Sequence, residues 1–131
     1  MTDKESPTHA PPTHAPDAAL RYDTGKLRYD LLPPDAIDAL VAVYTMGAQK
    51  YSDRNWEEGM KWSRIIGPLL RHAFAWMSGE DNDIESGLPH MAHVAWNALT
   101  LISYSQRKIA EDDRGQQVML PYRAAKPPEK E

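Results

Sequence analysis

The chain has 131 residues, a formal net charge of −4 and a sequence pI near 5.7. This length predicts one domain at most, and the acidic balance argues against general nucleic-acid binding, so we expect no stable nucleic-acid partner. There are no cysteines, which excludes a disulfide framework and a thiolate metal site. The N-terminus lacks an apolar signal core and no apolar run approaches the ~20 residues of a membrane span. We therefore expect a cytoplasmic protein with no membrane partner.

Both ends of the chain look like tails. Residues 1–19 contain Pro-Thr-His-Ala-Pro twice, at 7–11 and 12–16, without any apolar period. We predict a disordered Pro-rich tail over 1–19, a folded domain over 20–112 and a flexible C-terminal tail over 113–131. His9 and His14 belong to this repeat and are interpreted as parts of a solvated spacer, with a metal-binding tail as the alternative. A core this small is marginal, so metal binding or oligomerisation would help to stabilise it.

The segment 21–32 opens the folded part with a turn signal at 23–26, followed by a short apolar-polar alternation. One interpretation is a lead-in strand that packs Leu27, Tyr29 and Leu31. The other is that Lys26 and Arg28 contact an anion. The residues alone leave both open.

Three amphipathic helices are predicted after this segment, over about 34–50, from Ser63 to the Gly79 stop signal, and over about 88–110. Ser63 is a candidate N-cap for the second helix, and Ser86 or Leu88 for the third. Pro68 either falls near the first turn of the second helix or kinks it, and His72 in that helix is interpreted as a satisfied core residue. The predicted class is all-α, a small bundle of three main helices. Because three helices cannot shield the apolar faces, we expect a homo-oligomer, dimer or tetramer.

A basic–aromatic segment, residues 50–56, joins the first two helices. Basic side chains suit phosphate, an aromatic face suits a base ring, and asparagine can read a base edge. The alternative is a helix end with lysine on the dipole and aromatics covering the core. The segment contains five residues that suit a nucleotide, namely Lys50, Tyr51, Arg54, Asn55 and Trp56.

The stretch with the most potential ligand and catalytic side chains is an acidic loop, residues 79–89, together with the helix start that follows it. The loop carries four carboxylates, and the helix then places His90, His93 and Asn97 on one face. Carboxylate and imidazole are standard ligands of divalent metals. The alternative is a solvated acidic loop beside two histidines that cap or pack. The loop carboxylates are those of Glu80, Asp81, Asp83 and Glu85.

Three segments, residues 22–34, 47–59 and 79–97, together resemble the phage-type dATP/dGTP diphosphohydrolase domain, a relative of the MazG-like all-α NTP pyrophosphatases. The resemblance covers residues 22 to about 106. It implies a helical bundle that pairs with copies of itself, and Mg²⁺ or Mn²⁺ held by acidic side chains. It also implies hydrolysis of a purine deoxynucleoside triphosphate to monophosphate and pyrophosphate, in the host cytoplasm if a phage encodes it.

The chain departs from the MazG-like pattern, which has Glu-Glu-x-x-Glu on one helix and Glu-x-x-Asp on the next. Here the second helix lacks such carboxylates, and His90-x-x-His93 stands on the third. A second hypothesis is therefore a nucleotide-binding or structural partner that has lost catalysis. A third is a triphosphohydrolase that releases orthophosphate from the same site.

The first hypothesis is the metal-dependent hydrolysis that the resemblance implies, and it assigns roles to the candidate residues. Asp81 or Glu85 would position or deprotonate the water, and Asn97 would orient a ligand. The metal ligands or their supporting shell are expected to be Glu80, Asp83, His90 and His93. The phosphates are assigned to Lys26, Lys50 and Arg54, and the base to Tyr51, Asn55 and Trp56.

Overall fold

The computed structural model describes residues 18–115 together with residues 118 and 120. The two Pro-Thr-His-Ala-Pro repeats, with His9 and His14, lie outside the described residues, as does most of the predicted C-terminal tail. The chain divides into two units between Leu32 and Pro33.

The described part of the first unit consists of a turn and one short helical turn. The predicted turn at 23–26 is confirmed: the Lys26 amide donates to the Asp23 carbonyl at 3.1 Å, and Gly25 supplies the positive φ of 84° that suits glycine. The lead-in strand, one of the two interpretations of the residues after it, does not form, and a 3-10 helix, Tyr29–Leu31, stands there instead. The Arg28 guanidinium bonds both carboxylate oxygens of Asp30 at 2.8 Å, which favours a tight turn over an extended chain.

Within the described residues the second unit contains three α-helices, α1 (Pro34–Lys50), α2 (Ser63–Met77) and α3 (His90–Arg107). The predicted all-α class is confirmed, and the bounds of α1 are those predicted. Pro34 occupies the first turn of α1 and Lys50 its last turn, where each residue type suits the helix end.

Helix α3 is shorter at both ends than the predicted span of 88–110. Its N-cap is Pro89, whose extended backbone with ψ 135° stops the helix from starting earlier, so the assignment of this cap to Ser86 or Leu88 was wrong. At the other end Lys108 takes a left-handed conformation, φ 57°, and its amide donates to the Tyr104 carbonyl, which ends the helix.

The start of α2 is capped by a residue from the other end of the chain. Trp62 is the N-cap position, and Ser63, predicted as the cap, is the first helical residue. The Asp113 carboxylate accepts the Ser63 amide at 2.9 Å and the Ser63 hydroxyl at 2.5 Å. The Arg114 guanidinium lies 4.8 Å from the centre of the Trp62 ring. Asp113 and Arg114 belong to the predicted tail, yet both contact the folded unit.

Helices α2 and α3 run antiparallel and form most of the core. The indole of Trp62, at the start of α2, donates to the Ile109 carbonyl beyond the end of α3 at 3.5 Å. At the opposite end, His72 of α2 meets His90 at the start of α3. Pro68 lies inside α2, where it removes one helical hydrogen bond without ending the helix. The buried apolar side chains among the described residues are Val43, Ile65, Ala92 and Tyr104.

Many large apolar side chains stay exposed in the single chain. On α2 they share one face at helical spacing and are 40–70% exposed: Ile66, Leu70, Phe74 and Met77. No helix in the described ranges combines the length and the hydropathy that a membrane crossing requires.

Candidate functional site

The acidic loop is a closed, hydrogen-bonded hairpin rather than a loose chain. The amide of Asp83 donates to the Leu88 carbonyl at 2.8 Å, and the amide of Gly87 returns to the Asp83 carbonyl at 2.7 Å. The His90 amide donates to the Asp81 carbonyl at 2.9 Å, which attaches the loop to the first residue of α3. Gly87 has a φ of 73°, a conformation that glycine adopts without strain. The loop backbone therefore holds its carboxylates beside the imidazoles of α2 and α3.

His90 is the buried centre of this arrangement, at 3% exposure. Its Nε2 lies 2.6 Å from Oε1 of Glu80, and its Nδ1 lies 2.8 Å from Nδ1 of His72. A carboxylate accepts, so Nε2 of His90 donates to Glu80, and in the neutral ring Nδ1 then carries the lone pair. With both rings neutral, His72 donates to it from its own Nδ1. The contacts thus assign one tautomer to each neutral ring.

A second set of contacts surrounds Asp83 and His93. The Ser86 amide donates to Oδ2 of Asp83 at 2.8 Å, and the Ser86 hydroxyl lies 2.7 Å from Nε2 of His93. Nε2 of His93 is 3.9 Å from Oδ2 of Asp83. The His93 ring also stacks on the His72 ring, with centroids 4.3 Å apart and planes 6° from parallel. Ser86 thus connects the carboxylate and the imidazole.

Burial keeps two imidazoles neutral. It lowers the pKa of His72, and the adjacent His93 lowers it further. Burial also lowers the pKa of His93. Burial raises the pKa of Asp83, but the hydrogen bonds from Ser86 outweigh this effect and leave the pKa below its usual value. Neutral imidazole and ionised carboxylate are the protonation states that bind metal ions.

Three groups of this cluster can hold a divalent ion together. Ligand atoms of His72, Asp83 and His90 all lie within 4.8 Å of one another. Two nitrogens and a carboxylate oxygen at this spacing suit a small cation, so the residues present fit a metal centre.

A groove of about 990 Å³ connects this cluster with the basic–aromatic segment. Its volume is at the upper end for small-molecule pockets. Its wall on the cluster side includes His72, Asp83, Glu85 and His93. The same lining contains all five candidate residues of the segment, namely Lys50, Tyr51, Arg54, Asn55 and Trp56.

The basic–aromatic segment is tied to the end of α3. The buried Tyr104 hydroxyl donates to the Trp56 carbonyl at 2.6 Å. The Arg107 guanidinium lies 5.1 Å from the centre of the Trp56 ring and bonds the Glu57 carboxylate at 2.7 Å. Arg54 adds a 3.3 Å contact to the same carboxylate. One face of Trp56 is therefore covered, whereas Tyr51 is 64% exposed.

The structure brings most of the predicted site residues to one place. Asp83, Glu85, His93 and Asn97 line the groove, and the buried His90 lies behind them. The amide nitrogen of Asn97 donates to the His93 carbonyl at 2.8 Å. The roles assigned to these residues remain predictions.

Two of the predicted residues do not line the groove, and a third belongs to the first unit. Lys26 belongs to the first unit. Glu80 contacts His90, and neither Glu80 nor Asp81 lines the groove. The backbone carbonyl of Asp81 holds the His90 amide, and its side chain is exposed.

His72 is the participant that sequence reasoning missed, because a single histidine on an apolar helix was interpreted as core. The signal available in the sequence was its position on an apolar helix, since an imidazole that packs there needs a polar partner and the acidic loop is close in sequence. Ser86 was missed for a similar reason, because it was considered only as a helix cap.

Comparisons with known proteins match this chain to one family. A family model described as dATP/dGTP diphosphohydrolase, N-terminal, matches residues 16–114. A dATP/dGTP diphosphohydrolase of Salmonella phage PMBT28 is 29% identical over 102 residues, which is 78% of this chain. The chain spans about a third of that relative, 35% of its length. No solved structure matches the chain significantly.

Proposed function

Because the chain belongs to the dATP/dGTP diphosphohydrolase N-terminal family, we propose that it hydrolyses purine deoxynucleoside triphosphates to monophosphate and pyrophosphate in the groove. The observation that carries this proposal is the groove itself. Its lining combines basic and aromatic side chains with histidines and carboxylates of the cluster. A nucleoside triphosphate needs both chemistries within one site.

The phosphates would contact the basic wall. Lys50 stands at the C-terminal end of α1 and Arg54 in the following loop, both exposed to the groove. Arg54 is 3.3 Å from Glu57, a carboxylate that Arg107 also neutralises, so the guanidinium remains available to a phosphate oxygen. Lys26 belongs to the first unit, and its phosphate role stays a prediction.

The base would stack on Tyr51, whose ring is the most exposed aromatic surface of this wall. Asn55 would bond the base edge. Trp56 would contact the base with the part of its ring that Arg107 leaves uncovered.

A divalent ion, Mg²⁺ or Mn²⁺, would be held by the cluster around Asp83 and His90. When bound, such an ion would supply Lewis-acid chemistry, which stabilises charge on a phosphate oxygen and lowers the pKa of a water. Glu85 is exposed and lines the groove, so it would accept the proton of the attacking water. Asp81 is the second candidate for that role. Ser86 would keep the His93 ring in place, and Asn97 would orient a ligand.

A homo-oligomer, dimer or tetramer, would cover the apolar face of α2. Its four large side chains are 40–70% exposed in the single chain. Each Å² of that surface costs about 25 cal/mol while it stays in water. A two-fold partner with the same face would remove this cost with one self-complementary surface.

A second candidate function is a nucleotide-binding module without catalysis. It is favoured by the length of the match, since the chain spans 35% of the phage relative. In such a module the groove would bind the nucleotide, and another part of a longer protein would carry out the hydrolysis.

A nucleotide screen with matched variants tests the proposal. Turnover of the common dNTPs would be measured with Mg²⁺ and with Mn²⁺, for the parent chain, Asp83→Asn and Asp38→Asn. Asp38 lies on the exposed side of α1 away from the groove and provides the same change of charge. We expect Asp83→Asn to lower kcat by orders of magnitude at unchanged helicity, and Asp38→Asn to have no effect. Equal turnover in all three would refute the groove assignment, and tight nucleotide binding without turnover would favour the second candidate.

A further inference from the structure

The orientation of the His90 ring separates the groups around it into two sides. Nε2 faces the Glu80 carboxylate at 2.6 Å, and Nδ1 faces His72 at 2.8 Å. The two nitrogens of an imidazole point in nearly opposite directions. An ion bound at Nδ1 therefore cannot also bind the Glu80 oxygen that holds Nε2.

We infer that this cluster is a transition-metal site with Nδ1 of His72, Nδ1 of His90 and a carboxylate oxygen of Asp83 as ligands, and with Glu80 as a positioning residue. The inference rests on the proposed function and makes its metal centre specific. The expectation drawn from sequence placed Glu80 and His93 among the ligands or their supporting shell and interpreted His72 as core, so the new element is His72 as a ligand.

The ligand types select the class of ion. Mg²⁺ prefers an octahedral shell of oxygen atoms and binds imidazole poorly, whereas Mn²⁺, Co²⁺ and Zn²⁺ accept nitrogen. Two of the three converging groups are imidazoles, and their ligand atoms lie within 4.8 Å of each other and of Asp83. His90 is 3% exposed, so the ion would be bound in a largely dry setting.

The two histidines can bind an ion without losing a proton to solvent. His90 already carries its proton on Nε2 and has a free electron pair at Nδ1. His72 donates from Nδ1 in the structure, so it must move that proton to Nε2 when an ion binds. A metal-bound histidine whose other N–H is held by a carboxylate is the usual arrangement in proteins, and Glu80 provides that carboxylate.

His93 supports the site without binding the ion in this arrangement. Its ring lies parallel to His72 at 4.3 Å, which restricts rotation of the His72 ring. Its Nε2 is engaged by the Ser86 hydroxyl at 2.7 Å.

Titration of the metal-free full chain with Co²⁺, followed by visible absorption, tests the inference without nucleotide. The variants are His72→Ala, Asp83→Asn and Glu80→Gln. Two controls repeat the same chemical changes at exposed carboxylates that do not line the groove, namely Asp38→Asn and Glu111→Gln. Because His9 and His14 could also bind the probe ion, each titration is repeated in a chain with both replaced by glutamine. Competition with Mg²⁺, Mn²⁺ and Zn²⁺ gives the selectivity, and circular dichroism checks the fold.

We expect one Co²⁺ per chain, displaced by Zn²⁺ at equal concentration and not by Mg²⁺ at a hundredfold excess. His72→Ala and Asp83→Asn should abolish saturable binding. Glu80→Gln should weaken it about 10–100-fold, and both controls should bind like the parent. Glu80→Gln keeps every imidazole and the side-chain size. Its Co²⁺ affinity therefore tests the inference even if His72→Ala fails to fold.

Displacement of Co²⁺ by an equal concentration of Mg²⁺ would overturn the inference, as would equal affinities for Glu80→Gln and Glu111→Gln. If Co²⁺ binds as described but no dNTP is hydrolysed, the proposed function fails and the metal site stands. If dNTPs are hydrolysed with Mg²⁺ and His72→Ala has no effect on binding or turnover, the function stands and the metal site fails.

Discussion

Replacing Tyr104 with phenylalanine should loosen the basic–aromatic segment without affecting the metal cluster. The Tyr104 side chain is fully buried, at 0% exposure, and its hydroxyl donates to the Trp56 carbonyl at 2.6 Å. This bond joins residues 48 positions apart and holds the Asn55–Glu58 turn against α3. Its loss should therefore alter the wall of the groove that is proposed to bind nucleotide.

The expected loss in the free energy of unfolding follows from the hydrogen bond that is lost and from the carbonyl that loses its donor. A hydrogen bond of this kind contributes about 0.5–1.5 kcal/mol net, and an abandoned buried acceptor costs about 1–3 kcal/mol. The Trp56 carbonyl keeps a second donor, the Gly59 amide at 3.1 Å. We therefore expect a loss of about 1 kcal/mol, equivalent to about 4–8 °C in Tm for a domain of this size.

Urea unfolding followed by circular dichroism measures the free energy of unfolding, with an unchanged slope showing that the folded state is the same. Tyr51→Phe is the control, because Tyr51 is 64% exposed and its hydroxyl stays in water. Tyr104→Phe should also raise the KM for dGTP while leaving Co²⁺ affinity unchanged. Equal stability of Tyr104→Phe and Tyr51→Phe would refute the claim that this bond anchors the segment.

Three further perturbations test other parts of the molecule. Arg54→Ala and Lys50→Ala should each remove a charge-assisted contact of about 1.5–3 kcal/mol, raising the calorimetric Kd of a non-hydrolysable dGTP analogue about 10–150-fold; unchanged affinity in both would return the segment to a structural role. Asp113→Asn should lower Tm by a few degrees near neutral pH, because the hydrogen bonds from Ser63 hold the pKa of the carboxyl below its usual value. Since a depressed pKa contributes stability that is lost on acidification, this difference should shrink as the pH falls through the folded-state pKa, and a constant difference would contradict the cap. Phe74→Glu should shift sedimentation equilibrium at micromolar concentration towards the single chain, whereas a parent that is already monomeric would refute the oligomer.

Helical periodicity predicted the fold class because the signal is local. The spacing of apolar residues and Pro34 located α1, and Gly79 located the end of α2. The N-cap of α2 was not predictable in the same way, because Asp113 lies 50 residues from Ser63 in the chain. A cap supplied across the fold leaves no pattern at the helix start itself.

The residues of the candidate site were largely predictable from sequence, whereas the arrangement of their side chains was less so. The stripe of His90, His93 and Asn97 follows from spacing on one helix, and the acidic loop is adjacent in sequence. That Glu80 faces Nε2 of His90 while His72 faces Nδ1 depends on the antiparallel packing of α2 against α3. Sequence spacing carries no information on which nitrogen of a ring meets which partner.

The most direct measurement of the central claim is the identity of the products formed from dGTP by the full chain. Ion-exchange chromatography would follow dGTP incubated with Mn²⁺, with and without EDTA. The proposed function predicts dGMP and pyrophosphate in equal amounts, and no turnover once the metal is chelated. Release of orthophosphate would show a triphosphohydrolase instead, and the absence of any product while dGTP still binds would contradict the proposed catalysis.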